Sequence, residues 1–389
     1  MTDRPTDPNR TDTGRTTWRR VLGATAGAVV LFAGGAWLYN AGIFGPLLQP
    51  AAQRIDTGAE RAAQNAEARR AWLEARQAKT ADPAAATPSW PTDAEGYFVP
   101  NRVEDAPDTP FGDSVRRGHE LFTNTQTAAA DYVGNGLNCV NCHLGAGTKP
   151  HAAPMYAAAG EYPAFRGKNQ RINTMEDRVH GCFTYSMNAQ SSANGGPPEA
   201  GHQIYKDIES YFYFLAEGAP LEGNLPGRSY PVPPKPDDGW DVAAGETVYE
   251  ENCAVCHGTD GEGRQDINGR WIFPALWGDN SFNWGAGMHR VNTAAGFIKA
   301  NMPLGHGYSL TDEEAWDVAA FVNSHERPPD PRQIRDGLSV AETDARFHQH
   351  QSLYGEVIRG DLLGDNVLGS PEEQPPRVPR VSRQEAAAE

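Results

Sequence analysis

From Val21 to Gln53 the chain carries no charged residue, and the stretch Val21 to Leu48 is strongly apolar. A bilayer crossing needs about 20 such residues. Residues 21–48 therefore read as a membrane anchor, and the competing reading is a cleaved signal. Polar and apolar positions then change rhythm. Residues 54–80, rich in Ala, Arg, Glu and Gln, predict an exposed helix with a largely polar surface. It leads through a Pro-, Asp- and Thr-rich linker into a folded region, so 54–107 form a helix and linker. Two amphipathic helices begin later, at Ser114–Phe122 and Asp241–Tyr249, and each has a glycine four residues before an aromatic. Two aromatic-rich helices, Asp207–Glu217 and Thr311–Ser324, follow at matching places. The pattern divides the chain into a domain at 108–222, a proline-rich linker at 223–239, a second domain at 240–328 and a polar tail at 329–389.

Charge adds orientation. Arg4, Arg10, Arg15, Arg19 and Arg20 precede the span, which keeps residues 1–20 in the cytoplasm under the positive-inside rule. The rest of the chain would lie on the periplasmic side of a bacterial inner membrane, or be soluble in the periplasm if the signal is cleaved. The formal net charge of −16 argues against non-specific nucleic-acid binding. A hydrophobic fraction of 39% is low for one large core, so each domain needs something else to pack around.

The cysteines supply it. Five is an odd number, and they fall as Cys139/Cys142, Cys253/Cys256 and a single Cys182. Each pair sits inside its own repeat and runs straight into a histidine, His143 or His257. Two thiols on one helical turn can add to the two vinyl groups of a haem, and the next residue then reaches the iron. A zinc site or disulfides would use the same cysteines, but not with a histidine after each pair. Helix, Cys-x-x-Cys-His, loops and a closing helix is the order of a class I cytochrome c domain. The predicted fold is thus mainly α, with two such domains in tandem behind an N-terminal transmembrane helix, and with two covalently bound haem c groups. Met302, in a Met-Pro after a helix, is the leading distal ligand for the second haem. Met288 reads as porphyrin packing, and His289 and His306 as surface residues.

Cys182 leaves three readings open: an inert buried thiol, a redox-labile surface thiol, or a distal haem ligand. Arg178, Cys182 and Ser186 share one helical face at i, i+4 and i+8. Arg166, Lys168, Arg171 and Arg178 make a cationic cluster that suits a small anion.

Several stretches together resemble the dihaem thiosulfate dehydrogenases, tetrathionate-forming cytochromes of the bacterial periplasm. They are Gly134–Thr148, Arg178–Asn188, Phe273–Gly278, Ser281–Met288, Lys299–Leu304 and Ala315–Pro328. The resemblance covers roughly 108–328 and omits the span, the Ala-rich helix and most of the tail. It implies an active-site haem held by His143 and Cys182, and an electron-transfer haem held by His257 and Met302. It implies that Arg178 and Ser186 act in catalysis with a second arginine, for which Arg171 is preferred over Arg166. Thiosulfate and tetrathionate would be substrate and product, and a cytochrome c or similar carrier the electron acceptor. The chain departs from the family at Tyr185, where an arginine is frequent, and at Ala189, where a glycine is. Asn301 replaces the lysine that in some members precedes the distal methionine. The alternative function is a membrane-tethered electron-transfer cytochrome without a substrate of its own; a dihaem peroxidase finds no motif. The reverse reaction, tetrathionate reduction, is chemically allowed.

Overall fold

The computed structural model describes residues 67, 70, 71 and 74 and the ranges 90–166, 171–220 and 225–365. The expected span at 21–48 lies outside them, and no helix among the described residues is long and apolar enough to cross a membrane. Glu67, Arg70, Ala71 and Glu74 are helical and exposed.

The first half holds α1 (Pro110–Thr123), a hairpin of β1 (Ala164–Arg166) and β2 (Arg171–Asn173), α2 (Met175–Gly181) and α3 (Gln203–Leu215). The second holds α4 (Val242–Asn252), a hairpin of β3 (Arg264–Gln265) and β4 (Trp271–Phe273), α5 (Val291–Asn301) and α6 (Asp312–Asn323). Local chemistry sets the helix starts. Thr109 accepts from Gly112 N at 3.3 Å, with Pro110 in the first turn, and Thr311 and Glu314 form a reciprocal capping box.

The two halves use the same helix crossing. A Cβ on Gly118 of α1 would strike the Asp207 carbonyl of α3, and one on Gly245 of α4 would strike the Asp317 carbonyl of α6. The aromatic four residues on is buried at each crossing: Phe122 meets Phe212 edge-on at 5.6 Å, and Tyr249 lies 5.2 Å from Phe321. The repeated Gly-x-x-x-aromatic pattern thus marks a close helix contact, with the bulky ring one turn away filling the space. Asp207 is tied to Ser114 and Arg117, and Asp317 accepts from Asp241 N at 2.7 Å.

From residue 225 on, the proline-rich stretch between the halves is pinned. Tyr230 donates to the Cys142 carbonyl at 3.1 Å, and Trp316 Nε1 donates to the carbonyls of Pro233 and Pro234. Contacts of this kind tie both halves into one compact unit.

The expected polar tail needs correction over residues 330–365, which are folded; residues 366–389 lie outside the described ones. Two capped helices, α7 (Pro331–Asp336) and α8 (Val340–Phe347), lead to a hairpin of β5 (Val357–Ile358) and β6 (Asp361–Leu362). Leu353, Tyr354 and Leu363 bury against Trp284 and Trp316. The polar residues that make this segment read as surface are themselves paired inside. Asp330 takes a bidentate contact from Arg332 and a 3.0 Å contact from His348, whose other ring nitrogen meets His289 at 2.9 Å. His289, expected at the surface, is therefore fully buried. His306 is exposed.

Burial alone would raise the Asp330 pKa. Hydrogen bonds from His348 and Arg332 outweigh it and hold the carboxyl well below the usual range. A depressed carboxylate contributes stability above its unfolded pKa of about 4, and loses it as pH falls through the lower folded value. We expect Asp330→Asn to destabilise the protein by about 3–5 kcal/mol, because it leaves Arg332 buried without its anion. Calorimetric unfolding checks this; an unchanged midpoint would refute it.

Candidate haem and substrate site

Cys139–Cys142 form a single helical turn behind Asn138, whose backbone N–H donates to the Asn141 side chain at 2.6 Å. The chain then delivers His143, whose Nδ1 lies 2.8 Å from the Ala153 carbonyl. A carbonyl only accepts, so Nδ1 carries the proton and Nε2 keeps its lone pair. His257 repeats the device with the Pro274 carbonyl at 2.9 Å. Burial pushes His143 down to about 4 and lowers His257 as well, so both imidazoles are neutral near pH 7. Burial also pushes the thiols of Cys139, Cys142 and Cys253 up to about 12, so they lie neutral against apolar walls. No three His, Cys, Asp or Glu side chains among the described residues gather as a metal site would need. This donor set fits a haem attached by thioethers with an orienting backbone bond behind each histidine, and not a zinc ion.

Two clefts open from these turns, and Cys142 lines both. The second is almost wholly apolar, walled by Phe273, Leu276, Phe297 and Ile298. Met302 lines it as expected, at the end of α5, and so does Met288; His306 does not.

The first cleft is different, because one wall is charged. Arg178, Cys182 and Ser186 all line it together with His143. They are not on one regular helix. After Gly181 the chain widens into a π-turn over Cys182–Ser186, closed by Met187 N to the Cys182 carbonyl at 3.0 Å. Such one-turn widenings re-aim side chains and recur at functional sites. Arg178 Nη1 donates to Cys182 Sγ at 2.9 Å. Its electrostatic pairing with the Cys182 sulfur raises the Arg178 pKa and outweighs burial, so the guanidinium stays charged.

The preference for Arg171 needs correction. Arg171 is exposed, bonds Asp177 at 3.1 Å and does not line the cleft, whereas Arg166 does. The two arginines sit opposite each other across the β1–β2 hairpin. Asp177, held at the start of α2 by Thr174, draws Arg171 outward, while Arg166 lies over the Tyr162 ring at 5.6 Å. Arg228, in the proline-rich stretch, also lines the cleft and pairs with Glu161 at 2.9 Å. Sequence reasoning missed it by treating that stretch only as a connection. Its signal was a Gly-Arg-Ser-Tyr cluster interrupting the prolines.

A helical protein with two Cys-x-x-Cys-His turns, each opening on a cleft with a neutral imidazole, is a c-type cytochrome that holds haem c covalently. The cytochrome c family model matches residues 242–326. The chain is 50% identical to the thiosulfate dehydrogenase of Stutzerimonas stutzeri, over 70% of this chain and 87% of that protein. It is 47% identical to that of Thiomonas intermedia, over 70% and 84%. Among solved structures it matches the thiosulfate dehydrogenase TsdBA of Marichromatium purpuratum, as isolated, at 49% identity with a TM-score of 0.66. That match covers 70% of this chain and 58% of the solved chain. The chain belongs to the thiosulfate dehydrogenase family of cytochromes.

Proposed function

We propose that this protein oxidises two thiosulfate ions to one tetrathionate at the first cleft, and that each cleft holds one haem c in its own class I cytochrome domain. The carrying observation is the Arg178–Cys182 contact at 2.9 Å in a cleft shared with His143 and Ser186. In a chain of net charge −16, Arg166, Arg178 and Arg228 converge where a small dianion would bind. An electron-transfer module without a substrate has no need of that wall, and the second cleft lacks one.

His143 and Cys182 would hold the first haem, and His257 and Met302 the second. Haem c, when bound, supplies one-electron redox chemistry, and a thioether ligand raises its potential. The residues do the rest. Arg178 and Arg166 offset the repulsion that each thiosulfate dianion meets, first from the Cys182 thiolate and then from the adduct, and the Ser186 hydroxyl donates to a thiosulfate oxygen. The Cys182 thiolate bonds the outer sulfur of one thiosulfate as two electrons leave, giving a Cys–S–S–SO3⁻ adduct. A second thiosulfate attacks that adduct, the new sulfur–sulfur bond forms, and the thiolate departs. The electrons pass to a cytochrome or similar carrier. The apolar span at 21–48 supports placing the protein on the periplasmic face of the inner membrane, by a retained anchor.

A ferricyanide-coupled assay on the purified protein, with tetrathionate measured against thiosulfate consumed, tests the reaction. We expect one tetrathionate per two thiosulfate, and two haems per chain by pyridine haemochrome. No thiosulfate-dependent reduction, or one haem per chain, would overturn the reading.

A further inference from the structure

The last four carbonyls of a helix have no partner within it. After the Cys182 turn, four of the carbonyls left this way, those of Thr184, Tyr185, Ser186 and Met187, are met from elsewhere. Asn283 Nδ2 donates to the Thr184 carbonyl at 2.9 Å, and Asn283 N to that of Tyr185 at 3.2 Å. Asn135 Nδ2 donates to the Ser186 carbonyl at 2.7 Å, and Gly134 N to that of Met187 at 2.9 Å. Asn188 leaves the turn with a left-handed φ of 46°, and its side-chain oxygen accepts from Asn283 at 3.1 Å.

Asn283 is fully buried and fully used, because its own side-chain oxygen accepts from Gly285 N at 3.0 Å. It also belongs to the other half of the protein. Asn135 closes the joint by donating to the Ser281 carbonyl at 3.1 Å, while its oxygen accepts from Leu137 N, two residues before Cys139. A wide turn is intrinsically less well bonded than an α-turn. Here its geometry is set by two amides that grip it from both halves, and a satisfied buried network of this kind is rigid.

We propose that Asn283 and Asn135 are positioning residues that fix the Cys182 sulfur in the first cleft, so the second half of the protein completes the site in the first. This rests on the reading of Cys182 as a haem ligand. Outer partners that orient a ligand typically cost 10–100-fold in activity when removed.

The test is electron spin resonance and steady-state kinetics on the holoprotein and on Asn283→Ala and Asn135→Ala. In wild type we expect a low-spin, thiolate-ligated signal from the first haem. In each variant that signal should broaden or split into several species. The kcat should fall about 10–100-fold with KM changed less than twofold, while the second haem's signal stays as an internal control. A wild type without a thiolate signal overturns the ligand reading and the clamp with it. A thiolate signal and kcat unchanged in the variants overturn the clamp alone. Should Asn283→Ala fail to accumulate, Asn135→Ala, at a half-buried position, decides by itself.

Discussion

Cys182→Gly is expected to lower thiosulfate turnover by at least about 10³-fold while both haems remain attached. The separation of effects follows from the fold. Cys182 sits in the π-turn after α2, whereas the turns proposed to attach haem are at Cys139–Cys142 and Ala254–His257 with Cys253. Removing a half-buried sulfur from a cleft wall costs little packing, so haem content and unfolding midpoint should stay near wild type. The activity, in contrast, loses both the sulfur that would bond thiosulfate and the partner of Arg178. Pyridine haemochrome, electron spin resonance and the ferricyanide assay on one preparation check all three. Loss of the thiolate signal with turnover retained would show Cys182 to be a ligand but no nucleophile. Turnover and signal both retained would make it a structural thiol.

The two Cys-x-x-Cys-His turns could be read in the sequence because their spacing is mechanical. A thiol, two residues, a thiol and an imidazole lie on one turn whatever surrounds them. The helix crossings were readable for a similar reason, since Gly118 and Gly245 each precede a buried ring by one turn. What resisted reading depends on contacts distant in the chain. Whether Arg166 or Arg171 faces the cleft is decided by Asp177 and Tyr162, not by a periodic pattern.

The tail misled for a related reason. Asp330, Arg332 and His348 read as solvent-facing and are buried through one another, and Gln333 is buried with its side-chain oxygen accepting from the Tyr354 hydroxyl at 2.8 Å. Polar residues that satisfy each other leave no hydrophobic signature. Asn283 is the extreme case: every donor and acceptor on its side chain is used in the interior. Its stretch, Ser281–Met288, carries part of the resemblance, but no periodic pattern there marks the asparagine as buried.

Arg178→Gln is expected to reduce kcat/KM for thiosulfate by about 10²–10³-fold, the cost usual for removing one charge-stabilising group from a reacting centre. The second thiosulfate dianion, brought to about 4 Å from the singly charged adduct, is repelled by roughly 8 kcal/mol at an effective dielectric constant of 20. One guanidinium about as close to both outweighs that repulsion, returning roughly 12 kcal/mol on the same scale. Arg166 and Arg228 add to it, although Arg228 is already shared with Glu161. Arg178 therefore decides whether the second thiosulfate can approach the first. Glutamine keeps a hydrogen-bond donor but no charge, so a large loss in this variant isolates the electrostatic part. Arg178→Lys keeps the charge without the planar fork, and should fall between wild type and Arg178→Gln. The wild-type rate should also drop as ionic strength rises, more steeply than that of Arg178→Gln. Steady-state kinetics across a salt series measures both effects. A rate for Arg178→Gln within twofold of wild type would mean that the approach of the two anions is governed by Arg166 and Arg228 and not by the arginine on the sulfur.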